Sequence, residues 1–380
     1  MFSLLLALAL DWNHPQSIVD AAIAASPLIR EADANLAAAR ARQLSAGALP
    51  NPMLMGGQRD NAVMIGASQT LVRRDRRDAL ERSAALDVAR FEAEAQSRRA
   101  EVARDALIAY YEAAAAQSQI DAARDLETLA VTIGDAARIR YETGGGPQAD
   151  IIRAALEQSN VKHEILMQRS AREKALSRLR ALLGVTGVEE FSLHHAHATA
   201  PAIATAPETN PATKALELEI ARADEEVRLA KLAKKPDVDI EADYGYRPGD
   251  GQMVTLLGRV ELPIRKKTIE PRISEAIAQR DAAKAKLEVL EQQLQERLGV
   301  ATAERDEAAE QVELHVDTLV PQAKLGFESA LASYQSGRAG FDSVLMALQT
   351  YRALNVDYFD YLRRELVAQA EIDAIHGGAR

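Results

Sequence analysis

The pentapeptide Arg140-Tyr141-Glu142-Thr143-Gly144 has a counterpart in Ser333-Tyr334-Gln335-Ser336-Gly337, 193 positions later. In both places a helix-forming stretch of about 70 residues leads up to the tyrosine, and another helix-forming stretch follows the glycine. Glycine is favoured where a helix ends, because it adopts positive φ without a steric cost. The two copies therefore predict two helix–turn–helix hairpins that arose by internal duplication.

The duplication extends upstream of the hairpins. Pro52 and Pro236 are 184 positions apart, and two strand-like runs follow each of them, within residues 52–72 and 237–264. Each half therefore has the predicted order helix, strand pair, long helix, tight turn, helix. The predicted fold class is mainly α with a small β part, built from duplicated long helical hairpins.

The long helical stretches begin after Arg73 and Arg265, which are 192 positions apart. In the second stretch, apolar residues recur at steps of three and four, which keeps them on one face of a helix. At 1.5 Å per residue, 70 helical residues span about 105 Å, so we expect an elongated bundle or tube. Gly134 and Pro321 are the points at which a bend or break is predicted.

The second strand pair alternates in polarity along its length. One face of its first strand is apolar, and the opposite face carries Asp239, Glu241 and Asp243. A tilted strand of about nine to eleven residues suffices to cross a bilayer. The second pair reaches that length, whereas the first pair is marginal. The alternative is a pair of amphipathic hairpins packed on a soluble domain.

These signals divide the chain into four parts. Residues 1–16 contain an apolar run typical of a signal peptide and are interpreted as its remnant, with a short buried helix start as the alternative. Residues 17–184 and 209–380 form the first and second repeats. Residues 185–208, rich in Ala, Thr, Pro and His, form a connector between them.

Composition narrows the function classes. Acidic residues (56) outnumber basic ones (46), which argues against a nucleic-acid-binding protein, because such proteins need clustered positive charge. The absence of cysteine excludes disulfides and a thiol nucleophile. No phosphate-binding loop, zinc-protease motif or nucleophile elbow occurs, so neither an enzyme nor a cofactor is predicted. His194, His195 and His197 have no opposing ligand in the sequence, and a solvated loop is preferred to a metal site.

Eight short motifs follow one another along the chain: Leu49-Pro50-Asn51-Pro52, Arg140 to Gly144, Ala149-Asp150-Ile151, Leu182-Leu183-Gly184, Pro236-Asp237-Val238, Leu262-Pro263-Ile264, Leu319-Val320-Pro321-Gln322-Ala323 and Tyr334 to Gly337. Taken in order, they resemble the TolC-type outer-membrane efflux channels, and within them the heavy-metal efflux branch similar to CzcC and CusC. The resemblance implies a homotrimer in the outer membrane of a Gram-negative bacterium, in which each chain gives four strands to a shared 12-stranded β-barrel. It implies that the helices form a periplasmic α-barrel, and that a periplasmic adaptor (a membrane fusion protein) and an inner-membrane pump are partners.

The resemblance assigns the two helix turns to a periplasmic tip that gates the channel. Tyr141 and Tyr334 close the outgoing helices, and Asp150 and Asp342 open the return helices. A trimer would bring six such aspartates to one narrow ring, which would attract cations. The alternative for the aspartates is helix capping, since the start of a helix favours negative charge.

Two further groups of residues receive roles from the same resemblance. The acidic residues of the second strand pair are expected to face the barrel lumen, either to concentrate cations or only to keep the lumen solvated. The basic residues at the strand-to-helix junctions are expected at the membrane rim, either in contact with lipid phosphates or as a solvated charged cluster. The acidic residues are Asp239, Glu241 and Asp243, and the basic residues are Arg73, Arg74, Arg265 and Lys266.

The resulting hypothesis is a passive exit duct for exported substrates, with heavy-metal cations as the expected class. The energy would come from the partner pump, because nothing in the chain is predicted to bind a nucleotide. The alternative is a soluble periplasmic coiled-coil adaptor or scaffold. An adaptor usually has one helical hairpin and compact β-domains, whereas two hairpins with two strand pairs favour the channel.

Overall fold

The computed structural model describes residues 14–59, 62–184, 210–249, 251–263 and 266–377. Most of the predicted signal-peptide remnant, the three connector histidines and Arg265 lie outside these residues. The helices are α1 (Pro15–Ala25), α2 (Pro27–Ser45), α3 (Arg74–Glu142), α4 (Gln148–Leu183), α5 (Pro211–Leu232), α6 (Lys266–Leu314), α7 (Val320–Gln335) and α8 (Phe341–Ile375), and the strands are β1 (Met53–Arg59), β2 (Ala62–Leu71), β3 (Val238–Arg247) and β4 (Gly251–Val260).

The chain forms two compact units. The sheet unit contains all four strands and consists of Arg30–Ser97 and Thr209–Gln293. The turn unit contains both helix turns and consists of Met1–Ile29, Arg98–Glu208 and Leu294–Arg380. Helices dominate both units, and the four strands form a single small antiparallel sheet, so the predicted fold class is confirmed.

The sheet has the strand order β1-β2-β3-β4 with every neighbouring pair antiparallel. Its register pairs Ile65 with Tyr244 and Tyr244 with Val254, so apolar residues of neighbouring strands share one face. That apolar face is the exposed one, since Val254 is 76% and Ile65 is 55% exposed. Asp243 lies on the opposite face, where it pairs with Gly66 and Thr255. The sheet therefore presents its apolar side outward.

The turn unit packs its helices through small side chains. Alanine supplies many fully buried positions of α3, such as Ala106 and Ala113 at 0% exposure. Alanine combines a high helix propensity with a short side chain, so neighbouring helices approach closely. Larger buried residues fill the remaining space, among them Tyr110, Phe327 and Tyr334 at 1–2% exposure.

A π-helical segment, His315–Leu319, separates α6 from α7. The N–H of Val320 donates to the carbonyl of His315, five residues back instead of four. Pro321, which lacks an N–H, follows directly. With the segment included, residues 266–335 form a helical run of 70 residues, against 69 in α3.

The predicted break at Gly134 is wrong, because α3 continues through this residue. A methyl group at this position would lie 2.9 Å from Nε2 of Gln158 on α4, so the end of that side chain would have to shift. At the other end of the chain, α1 begins at Pro15, inside the stretch assigned to the signal peptide. Within the described ranges, no helix has both the length and the apolarity needed to cross a membrane.

Candidate functional site

The two turns of the turn unit share one backbone conformation. Gly144 and Gly337 have φ values of 77° and 78°, a region that side chains of L-residues disfavour. In each turn an N–H donates to the carbonyl five residues back, at 2.7 Å in the first turn and 2.9 Å in the second. The return helices then begin at Gln148 and Phe341, again 193 positions apart.

Tyr334 and Asp150 lie together in the interior of the turn unit, where they are 1% and 7% exposed. The hydroxyl of Tyr334 donates to Oδ2 of Asp150 at 3.3 Å. The Tyr334 ring also makes an edge contact with Phe341, with the centroids 5.6 Å apart. Burial, and after it the charge of Asp150, raise the pKa of Tyr334 above its usual value, against an opposing effect of Arg140. The contact joins α7 to α4.

Their presumed counterparts, Tyr141 and Asp342, lie at the surface. Tyr141 is 47% exposed, and the side chain of Asp342 is 76% exposed, with Nη1 of Arg153 at 2.5 Å from its Oδ1. Asp150 is the third residue of α4, whereas Asp342 is the second of α8, which rotates the two side chains apart by about 100°. The residue equivalent to Asp150 is Ser343. The two aspartates are therefore not equivalent, contrary to the symmetrical ring expected from the sequence.

Arg140 contacts both turns. Its Nη2 donates to the carbonyl of Gly145 at 2.7 Å, and its Nη1 donates to the carbonyls of Tyr334 at 3.0 Å and Ala339 at 3.4 Å. Its Cζ also lies 4.6 Å from the centre of the Tyr334 ring. The sequence analysis gave Arg140 no role. The available signal was the difference between the two motif copies, since the second copy has Ser333 in place of this arginine.

A second buried carboxylate, Glu157, follows Asp150 by seven residues on the same face of α4. It is 2% exposed. Nη1 of Arg352 lies 3.3 Å from its Oε1, and Nε2 of Gln349 donates to its Oε2 at 3.1 Å. Glu157 thereby joins α4 to α8. The sequence analysis missed it, and its only signal was the helical spacing from Asp150.

In the sheet unit, Asp239, Glu241 and Asp243 lie on the less exposed face of β3. Glu241 accepts a hydrogen bond from Nη2 of Arg259 at 3.0 Å. Asp243 lies over Gly66, where an added methyl group would come within 1.8 Å of Oδ1. Across the residues that the structure describes, no group of three or more His, Cys, Asp or Glu side chains could hold a metal ion.

Solved structures share this architecture along nearly the whole chain. CusC matches with a TM-score of 0.83 and 15% identity over 97% of this chain and 92% of that chain. The open MtrE channel of Neisseria gonorrhoeae gives 0.81 and 15% over 96% and 89%, and the VceC outer membrane protein of Vibrio cholerae gives 0.78 and 17% over 96% and 96%. The chain has the fold of these outer-membrane channels. No family model and no curated protein matches it.

In this channel fold, the basic cluster at the start of α3 is partly paired with carboxylates. The backbone N–H of Arg73 donates to Oδ1 of Asp237 at 3.3 Å, and the Arg73 guanidinium pairs with Asp75. Asp237, the residue before β3, thereby joins that strand to the start of α3. Arg74 is exposed and pairs with no carboxylate in the part of the chain that the structure describes. Of these two guanidinium groups, only that of Arg74 is therefore without a carboxylate partner among the described residues.

Proposed function

We propose that the chain is one subunit of the outer-membrane channel of a tripartite efflux system, where it serves as a passive exit duct. The observation that carries this proposal is the sheet, whose exposed face is apolar and whose opposite face carries the three carboxylates of β3, Asp239, Glu241 and Asp243. A soluble sheet has the reverse arrangement, whereas a strand between lipid and an aqueous pore needs this one. The fold shared with outer-membrane channels supports the same location, with the helices in the periplasm.

The proposed channel is a homotrimer. In the described sheet, β1 and β4 each have a single neighbouring strand, so one chain would leave unpaired N–H and C=O groups in lipid. Three sheets joined edge to edge would form a closed barrel of 12 strands and remove those edges. Mass measurement in detergent should give three copies, and a stable monomer would contradict the proposal.

Two adjacent residues of β3 test the orientation of the sheet. Ile240 is on the exposed face and is proposed to contact lipid, whereas Asp239 is proposed to face the pore. Ile240→Arg should destabilise membrane insertion by about 2–4 kcal/mol near the bilayer midplane. Asp239→Arg should insert normally and shift the reversal potential towards anions. The trimer content of outer-membrane fractions measures insertion, and equal losses for both variants would contradict this orientation.

We assign the gate of the channel to the turn unit, which would also contact the adaptor and the pump. The hydrogen bond between Tyr334 and Asp150 joins the two hairpins, so opening would separate these side chains. The exposed Tyr141 and Asp342 are accessible to an adaptor, and a cation that binds Asp342 would compete with its ion pair to Arg153. Single-channel recording tests this assignment, because a gate variant changes the open fraction without changing the number of inserted trimers.

For the exported substrate we propose heavy-metal cations. The support is the resemblance to the heavy-metal branch, together with Asp239, Glu241 and Asp243 on the proposed pore face, where negative charge would raise the local cation concentration. A strain that lacks the gene should become sensitive to divalent metal salts, and expression of the gene should restore resistance. Sensitivity only to organic compounds would contradict this substrate class and leave the channel function in place.

The soluble adaptor is the competing function. It requires a sheet that buries its apolar face, and the exposure of Ile65, Val254 and Leu256 does not fit that requirement. Fractionation separates the two functions. Release from the outer-membrane fraction by detergent alone supports the channel, whereas release by a salt wash supports the adaptor.

A further inference from the structure

We propose that Arg140 is the positioning residue of both turns, and that one guanidinium holds the second turn in the place where Tyr334 reaches Asp150. For its effect on conductance the proposal rests on the gate function above. The contacts that carry it are the three hydrogen bonds from Arg140 to backbone carbonyls and its position over the Tyr334 ring.

Helix ends provide the physical reason. The C-terminal end of a helix carries a partial negative charge. The carbonyl of Tyr334 already accepts the N–H of Gly337 at 3.0 Å, so Arg140 is its second donor and the charged one. Arg140 donates to the carbonyl of Tyr334 near the end of α7 and to that of Gly145 just after α3. One positive charge therefore neutralises two adjacent helix ends. Without it, these two ends would repel each other.

The chemistry requires arginine in particular. A guanidinium presents several N–H donors in a fixed plane, so Nη1 and Nη2 can serve different turns at the same time. Its Cζ also lies over the Tyr334 ring, 4.6 Å from the ring centre, a cation–π contact that arginine makes more often than lysine. The second turn has Ser333 at the equivalent position, and the side chain of its own Arg338 is exposed and has no partner among the described residues. The second turn thus depends on a residue of the first repeat.

Amide hydrogen exchange of the detergent-solubilised full chain tests this dependence. Arg140→Gln should accelerate exchange in residues 143–148 and also in residues 336–343, in both places by on the order of tenfold, because charged hydrogen bonds are lost. Arg140→Lys should keep part of the protection of the first turn and lose that of the second. Arg138→Gln is the matched control, since Arg138 is exposed on the same helix and no partner is described for it; it should change neither turn.

Two outcomes would overturn the proposal. Faster exchange confined to residues 143–148 would mean that Arg140 caps only its own helix, and equal effects of Arg138→Gln would mean that only net charge matters. Planar-bilayer recording of the same variants separates this inference from the gate function. Faster exchange in both turns with a higher open fraction supports both ideas. Faster exchange in both turns with unchanged conductance supports the positioning role and contradicts the gate.

Discussion

The two helix turns have the same backbone and opposite surroundings. Both have a left-handed glycine at the same place and the same closing hydrogen bond. Yet Tyr334 is buried against Asp150, whereas Tyr141 is exposed. The duplication therefore preserved the shape of the turn and not its chemistry. The proposed gate therefore depends on one pairing, Tyr334 with Asp150, whereas Tyr141 is exposed and Asp342 pairs with Arg153 at the surface.

Truncation of the two tyrosines should show the largest difference between the turns. Tyr334→Ala removes a fully buried aromatic ring and should destabilise the turn unit by about 3–5 kcal/mol. Tyr141→Ala removes a surface ring and should stay within about 0.5 kcal/mol. Hydrogen exchange of the core of α7 and α8 measures both. Similar losses would mean that the turns are equivalent after all.

The two aspartates should differ in what they control. Asp342→Asn removes an exposed charge from each subunit and should weaken block by a divalent cation roughly three- to tenfold in single-channel recordings. Asp150→Asn leaves the exposed charge intact, so block should stay the same while the open fraction rises, because the bond from Tyr334 loses its charged acceptor. Weaker block in the Asp150 variant would instead place both aspartates on the pore.

A smaller effect is expected in the titration of Tyr334. Its raised pKa means that the folded state favours the neutral hydroxyl, so the stability it contributes is complete below about pH 10 and is lost as pH rises through the higher folded value. The absorbance difference between wild type and Tyr334→Phe should have its midpoint above pH 10. Tyr111, whose pKa burial raises to about 12, is common to both proteins and cancels. An ordinary midpoint would show that Tyr334 is not held against Asp150.

Local signals were sufficient to predict the elements and fold class. A tyrosine-ended helix followed by glycine marked both turns, and alternation along Val238–Arg247 separated the two faces of β3. The contact between Tyr334 and Asp150 required knowledge of which helices pack together, because 184 residues separate them. The sequence spacing did indicate that Asp150 and Asp342 are not equivalent, because Asp150 follows Tyr141 by nine residues and Asp342 follows Tyr334 by eight.

The contacts of Arg140 and Asp237 could not be predicted in the same way. An arginine just before a turn is normally solvated. The acceptors of Arg140 include backbone carbonyls of the other repeat, and every residue has such a carbonyl, so the sequence does not indicate which ones are contacted. Asp237 resembles a turn residue after Pro236, and its pairing with the backbone of Arg73 depends on how the junction between α5 and β3 meets the junction between β2 and α3.

The π-helical segment His315–Leu319 determines the direction in which Tyr334 points. The second repeat has one more residue than the first between the start of its long helix and its tyrosine. In a regular helix that residue would rotate everything after it by about 100° and advance it by about 1.5 Å, turning Tyr334 away from α4. The π-helical turn accommodates the extra residue within the segment, so the side chains of α7 keep the directions that they would have without it. A one-residue deletion within the segment should therefore leave Tyr334 against Asp150, whereas the same deletion within α7 should separate them.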